Sequence, residues 1–580
     1  MKRWGWIFTT VILLALVASA QQASDPASIS QPAASQPAVT PVSTTPGLAL
    51  APQTPKTPVS IDQVVDAIIE REHALIQFLE NRTPLVETYL QNLQPDTKLG
   101  AVPKEDHYFL GRLDLSDIDR RDYLTKEASF QRTLMGGVTK LFRIQYQPMG
   151  FSWMIFADRQ NFDRAHYDFH YVHREFLGEV RCLVFEVSPK KNAGTGLFQG
   201  QIWVEDQDYN IVRLNGTYVP RPRNAFYFHM DSWRLNLVPG YWIPSYIYSE
   251  EGDFSYGSRD KLAFKAQSRI WGYDVMKNSR DDELTDLKIE DVKDASPVAQ
   301  DLSPLEAQRA WQQQAEDNVL ERLQKAGLLA PTGDVDKVLQ TVINNIQITN
   351  NIDLPRPVRA RVMVTYPLET FSVGNTIIIS RGLIDTLPDE ASLAAVLSHE
   401  LAHIVLGHNL GSKFAFTDRM LFSDESTYQN FGFRHNPEEE TAADAKAIEL
   451  LKNSPYAQKL GSAGLYLKQL QARAPQMSAL LTAHLGNSFS DEKGQIIRLN
   501  ALLPSAPALD ENKLDQIAAL PLGGRIKLDP WADHVEMIKA APVSYTSARD
   551  KMPFELTPFF PRLSHLGVEN TNAQNTVGKN

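Results

Sequence analysis

Ser398-His399-Glu400-Leu401-Ala402-His403-Ile404-Val405 is the segment of this chain whose residue types could do chemistry together. Leu393, Val396, Leu397, Leu401, Ile404 and Val405 recur at helical spacing, and Pro388-Asp389-Glu390 supplies a proline and two acids suited to a first turn. The spacing predicts a helix ending near Gly407. On it His399 and His403, four residues apart, project from one face, so both imidazoles can reach one ion. Glu400 lies about 100° round the helix from His399, where a carboxylate can touch metal-bound water without becoming a ligand. Hydrolysis at a metal centre is the chemistry this arrangement suits. With 13 histidines in 580 residues, the motif arises by chance in roughly 2% of chains of this size, so accident is the minor explanation.

A hydrolytic zinc site commonly has three protein ligands, so a third is expected downstream. Asn436-Pro437-Glu438-Glu439-Glu440-Thr441-Ala442-Ala443-Asp444 supplies it. Asn436 suits an N-cap, Pro437 the first helical position and Glu439 the capping-box partner. Glu438 and Glu439 are accounted for as first-turn charges. Glu440 remains as the third ligand, and Asp444, four residues on, could orient a ligand by a hydrogen bond. The one cysteine, Cys182, sits in an apolar run and reads as a buried structural thiol. Any metal must therefore be held by His, Asp or Glu.

These segments resemble the gluzincin metallopeptidases that include the CAAX prenyl protease, HtpX and BepA. The matching residues are Gly374-Asn375-Thr376-Ile377-Ile378-Ile379-Ser380-Arg381-Gly382-Leu383-Ile384, then His399 to His403 with His408, then Glu440-x-x-Ala443-Asp444. The resemblance covers about residues 335–505. It implies one zinc per chain held by His399, His403 and Glu440, with Glu400 as general base, and polypeptide substrates, among them outer-membrane or envelope proteins. Family members often carry a His-Pro pair before a downstream Arg; here Phe489-Ser490-Asp491-Glu492 leads to Ile497-Arg498, which leaves Arg498 and His484 as candidate transition-state stabilisers.

Other features near the motifs admit two readings. The strand Thr376–Ser380 is either an edge that pairs with an extended substrate backbone or an ordinary core strand. Residues 409–435, rich in Phe and Tyr, are either a lid over the cleft or a folded loop. His435 could occupy the water position in a latent form. His166, His170 and His173 cannot all meet on one regular strand, because His173 has the opposite parity, and they read as structural or exposed.

The elements that must position the site follow from pattern and composition. Hydrophobic residues at 43% and charged residues at 22% describe a globular chain long enough for several cores. A net charge of −11 argues against nucleic acid and anionic lipid as partners. Lys2 and Arg3, the apolar run Trp4 to Val17 and Ala18-Ser19-Ala20 read as a cleaved export signal, giving a periplasmic or secreted protein without a later membrane span.

The fold class is multidomain α+β: a β-rich antiparallel module followed by a mainly helical zincin-type domain. The divisions are a signal peptide at 1–20, a Pro/Ala/Ser/Thr leader at 21–58, a helical segment at 59–98, the β-rich module at 105–285, a helical connector at 300–345, the zinc metallopeptidase domain at 335–505 and a C-terminal extension at 506–580. Helical spacing from Ile61 predicts helix to about Asn92. Gly200–Val204 and Tyr209–Leu214 read as a hairpin about Asp206-Gln207-Asp208, and the run Phe198–Tyr218 vaguely resembles the curled sheet of lipoprotein-carrier domains. A latent zinc protein that binds lipid or unfolded chains through this sheet is the alternative to an endopeptidase.

Overall fold

Val65, Ile68, Glu72, Leu75 and Leu79 are the buried residues of the first helix, α1 (Ile61–Leu79), and Ser60 caps it by accepting the Gln63 N–H. A computed structural model describes residues 60–96, 100–113, 115, 121–123, 151, 154–220, 228–256, 260–273, 304–408, 432–491, 493–509, 526–529, 534–537, 556, 558 and 561–566. These lie in the unit Thr57–Asn580. The signal peptide and leader, the acidic stretch 281–301, most of the connection 409–435 and the tail from Val568 lie outside the described residues.

The helix stops at Leu79, well short of Asn92. Beyond Pro84, which a continuing helix could not accommodate, the chain turns into β1 (Leu85–Asp96). It is the first of ten strands: β2 (Gly100–Leu113), β3 (Arg121–Tyr123), β4 (Tyr167–Leu177), β5 (Val180–Pro189), β6 (Leu197–Glu205), β7 (Ile211–Val219), β8 (Met230–Val238), β9 (Tyr241–Tyr256) and β10 (Asp260–Trp271) follow. They form one sheet in the order β3-β2-β1-β10-β9-β8-β7-β6-β5-β4. Every described pairing in it is antiparallel. The β6–β7 hairpin pairs Ile202 with Leu214 and Trp203 with Arg213, and the Glu205 carboxylate accepts the backbone N–H groups of Gln207, Asp208 and Asn210 to close its turn.

One face of the sheet packs on α1 around Val204, Ile211, Ile243 and Ile247. Inside that core Arg234 makes a bidentate pair with Glu72 at 2.6 and 2.7 Å. Along part of the opposite face Val180, Cys182, Val184, Trp203 and Trp233 form a second cluster, into which Leu563 inserts. Leu563 accepts the Glu179 N–H at 2.8 Å, and Leu556 donates its own N–H to Gln91 Oε1 at 2.8 Å. Cys182 is buried and its thiol is pushed up to about 12 by burial, then by nearby Glu205.

The helical half begins with α2 (Pro304–Lys325) and α3 (Asp334–Thr349), then β11 (Arg359–Met363), β12 (Thr370–Val373), β13 (Thr376–Ser380) and the short α4 (Arg381–Thr386). It continues through α5 (Glu390–Leu406), α6 (Pro437–Lys452), α7 (Leu460–Arg473) and α8 (Ser478–Leu481). The three strands run in the order β11-β13-β12. Thr376–Ser380 is therefore central, with all five residues buried, and it is not an edge open to substrate: β11 and β12 occupy both sides. Gly382 opens α4 where an added Cβ would come within 1.6 Å of the Tyr366 carbonyl oxygen, a contact only glycine avoids.

The two halves share a core. Leu85, Tyr89, Leu110 and Trp271 of the sheet cluster with Leu328, Val362, Leu368 and Leu480, and Trp271 donates to the Gly327 carbonyl at 2.9 Å. No helix among the described residues is long and apolar enough to cross a membrane.

Candidate metal centre

Asp389 caps α5 by accepting the Ser392 N–H at 2.8 Å, and Gly407 ends it in the left-handed conformation, φ 70°. Every residue from Ala391 to His403 is buried, so this helix is enclosed all round and runs through the middle of the helical half. Asn436 caps α6 in a reciprocal capping box with Glu439, with Pro437 at the first position. These local choices bring the first turn of α6 to the buried imidazoles of α5.

His399 and His403 face one another with Nε2 atoms 3.1 Å apart. Glu440 presents Oε2 at 3.3 Å from His399 Nε2 and Oε1 at 3.3 Å from His403 Nε2. The three donor atoms lie within 4.8 Å of one another, and this is the group among the described residues that could hold a metal ion. Two unprotonated imidazole nitrogens and a carboxylate directed at one point repel one another unless a cation lies between them. Glu440 Oε2 is buried with no hydrogen-bond partner, so ion-pair distance is met without hydrogen-bond geometry. The donor set thus fits a divalent ion such as zinc.

The supporting contacts are equally specific. Asp444 Oδ1 lies 2.7 Å from His399 Nδ1, while its Oδ2 accepts the Leu499 N–H at 2.8 Å. Holding Nδ1 in this way directs the Nε2 lone pair toward the centre. His403 Nδ1 lies 3.0 Å from His408 Nδ1. Burial and Arg498 act to lower the basicity of His399, but Asp444, Glu440 and Glu400 outweigh them and raise it. Burial acts to raise Glu440, yet His399, His403 and Arg498 hold its carboxyl well below the usual carboxylate range.

Glu400, beside the two histidines, pairs through Oε1 with Arg498, and its Oε2 is buried without a partner. Arg498 also donates to the Asn487 carbonyl at 3.2 Å, lies 3.6 Å from Glu440 Oε2 and sits over the Phe489 ring at 5.1 Å. Asn487 is the residue that sequence reasoning missed. Its amide donates to Glu440 Oε1 and to the His435 carbonyl at 3.3 Å; a lone asparagine in a loop carries no sequence signal.

Of the remaining histidines, His435 borders the centre. His435 stacks on the His403 ring, with centroids 3.8 Å apart, and its Nδ1 lies 3.2 Å from Glu439; it is not one of the three ligating residues. His484 packs against Tyr108 in a tilted arrangement, 5.3 Å between ring centroids. His166 contacts Asp163, and His173 contacts Glu175.

An H-E-x-x-H helix thus meets a glutamate from a following helix, and the three side chains could hold one metal ion. Residues 331–423 match the model of peptidase family M48. The match spans α3 to α5 and includes His399, Glu400 and His403, while Glu440, Asp444 and Arg498 lie beyond it. It supports zinc metallopeptidase chemistry for this segment. No curated protein matches the chain. Among solved structures, an outer membrane lipoprotein-sorting protein domain from Vibrio parahaemolyticus is similar at 8% identity over 36% of this chain and 91% of that one, with a TM-score of 0.16. A likeness at that score defines neither fold nor function.

Proposed function

We propose that this protein is a zinc-dependent metalloendopeptidase acting on polypeptides of the cell envelope or exterior. The observation that carries the reading is the convergence of His399, His403 and Glu440 within 4.8 Å, with the free Oε2 of Glu400 beside them. A zinc ion there would supply Lewis acidity, lowering the pKa of a water toward neutrality and polarising a peptide carbonyl. His399, His403 and Glu440 would hold the ion, and Asp444 fixes the His399 ring. Glu400 keeps Oε1 on Arg498 and uses Oε2 to take the proton from the attacking water, then returns it to the leaving amine. Arg498 keeps that carboxylate in one orientation through the reaction. Export rests on the signal-like first 20 residues.

The test is chelator-sensitive cleavage of unfolded casein by the purified chain, with zinc content measured in parallel. Glu400→Gln should retain zinc and lose cleavage by about 100-fold or more. A purified protein without a divalent ion, or a Glu400→Gln variant as active as the parent, overturns the reading. Zinc without cleavage, together with co-purifying lipid, points instead to a carrier working through the sheet.

A further inference from the structure

Asp106 and Glu369 are buried carboxylates that take no part in the reaction above, yet both bind the backbone of one short segment. Asp106, on β2 of the large sheet, accepts the N–H groups of Ala479 and Leu480 at 2.8 Å each, at the start of α8. It also accepts the Tyr89 hydroxyl at 3.1 Å. A few residues further on, Glu369 Oε2 accepts the N–H groups of His484, Leu485 and Gly486 at 2.9, 2.8 and 3.3 Å. The Leu368 N–H donates to the Leu480 carbonyl at 2.8 Å, joining the two attachments. The next residue is Asn487, whose amide grips Glu440.

This is an expensive way to hold a loop. Burial, against those backbone hydrogen bonds, raises both Asp106 and Glu369 to about 6, and Glu369 Oε1 has no hydrogen-bond partner. What a carboxylate offers that a neutral side chain does not is short, charge-assisted bonds to several N–H groups at once, and so a segment with little freedom. That segment ends on the residue touching the third member of the metal triad.

We infer that Asp106 and Glu369 are positioning residues for the metal site, clamping residues 479–487 so that Asn487 holds the Glu440 carboxylate in its ligating orientation. The inference rests on the metallopeptidase reading. It makes the large sheet a structural part of the site, because one of the two clamps stands on β2.

The experiment measures zinc affinity by chelator competition on the full chain, with the visible spectrum of the cobalt-substituted protein as a second readout. Asn487→Ala should weaken zinc about tenfold or more, as loss of a hydrogen bond to a metal ligand does. Asp106→Asn should weaken it severalfold and Tyr89→Phe by less, each altering the cobalt spectrum. In the Asn487→Ala background Asp106→Asn should add little, since both act through one path. Glu72→Gln, which loosens the distant α1 core, should leave zinc affinity unchanged and so separates positioning from general destabilisation. Wild-type zinc affinity in Tyr89→Phe and in folded Asp106→Asn, or full additivity with Asn487→Ala, overturns the inference alone; if Asp106→Asn does not fold, Tyr89→Phe decides. A wild-type chain that binds no zinc overturns the metallopeptidase reading and the inference with it.

Discussion

Arg498 reaches the carboxylate of Glu400 from 98 residues further along the chain, and the two side chains are 3% and 1% exposed. A pair so enclosed is expensive to break, because the partner left behind is a buried charge in a medium that solvates it poorly. Arg498→Ala should therefore destabilise the fold by about 3 kcal/mol or more, read from denaturant midpoints. In a Glu400→Gln background the same substitution should cost much less. Equal cost in both backgrounds would mean that the pair contributes nothing specific.

Asp444 holds His399 at Nδ1 and is itself fixed by the Leu499 N–H. Asp444→Asn should keep the fold and weaken zinc binding about 10- to 100-fold, because the neutral amide no longer anchors the ring as an acceptor with matching charge. Chelator competition reads this directly, and an unchanged dissociation constant would remove Asp444 from the site.

Glu87, on β1, is raised to about 7 by burial, against Arg269, Tyr108 and the Tyr366 N–H. A carboxyl whose folded pKa lies above its unfolded value favours the folded state when protonated. That contribution is fully present below about pH 4.5 and is lost as pH rises to about 7, up to about 3 kcal/mol. Glu87→Gln should gain stability relative to the parent across this window. A pH-independent difference between them would refute the assignment. Asp385, also raised to about 7 by burial, accounts for slope that persists in the variant.

His484 runs the other way. Burial, then Arg434, lowers it to about 4, and its Nε2 has no partner. The unfolded chain takes up a proton near pH 6.5 that the folded chain refuses until about pH 4, so stability falls through that interval as acid is added. His484→Phe keeps a ring against Tyr108 and should flatten the acid limb of a stability–pH curve; an unaltered limb would assign it to other groups.

The motif helix was legible because each of its signals is local. Asp389 and Gly407 mark its ends, and a four-residue spacing puts His399 and His403 on one face; α6 is written the same way in Asn436, Pro437 and Glu439. Leu85–Asp96 was not legible as a strand, since Leu85, Val86, Leu90 and Leu93 satisfy the helical period that precedes them. What decides them is pairing with β10, where Thr88 meets Ser268, 180 positions away. Whether Thr376–Ser380 lies at an edge or in the middle depends on β11 and β12, which no property of its own residues records. Asn487 joins the site through tertiary contacts alone, whereas Arg498 was a candidate from the sequence whose partner, Glu400, only the fold supplies.

The late segment around Leu556 and Leu563 has a consequence for synthesis. Leu556 bonds to Gln91 across 465 positions, and Leu563 fills a cluster built by residues 177–248. A chain emerging from the ribosome thus has its sheet residues long before the pieces that cover them. Until residue 563 has been made, Val180, Val184 and Trp233 lack part of their apolar cover, so this part of the sheet is completed last.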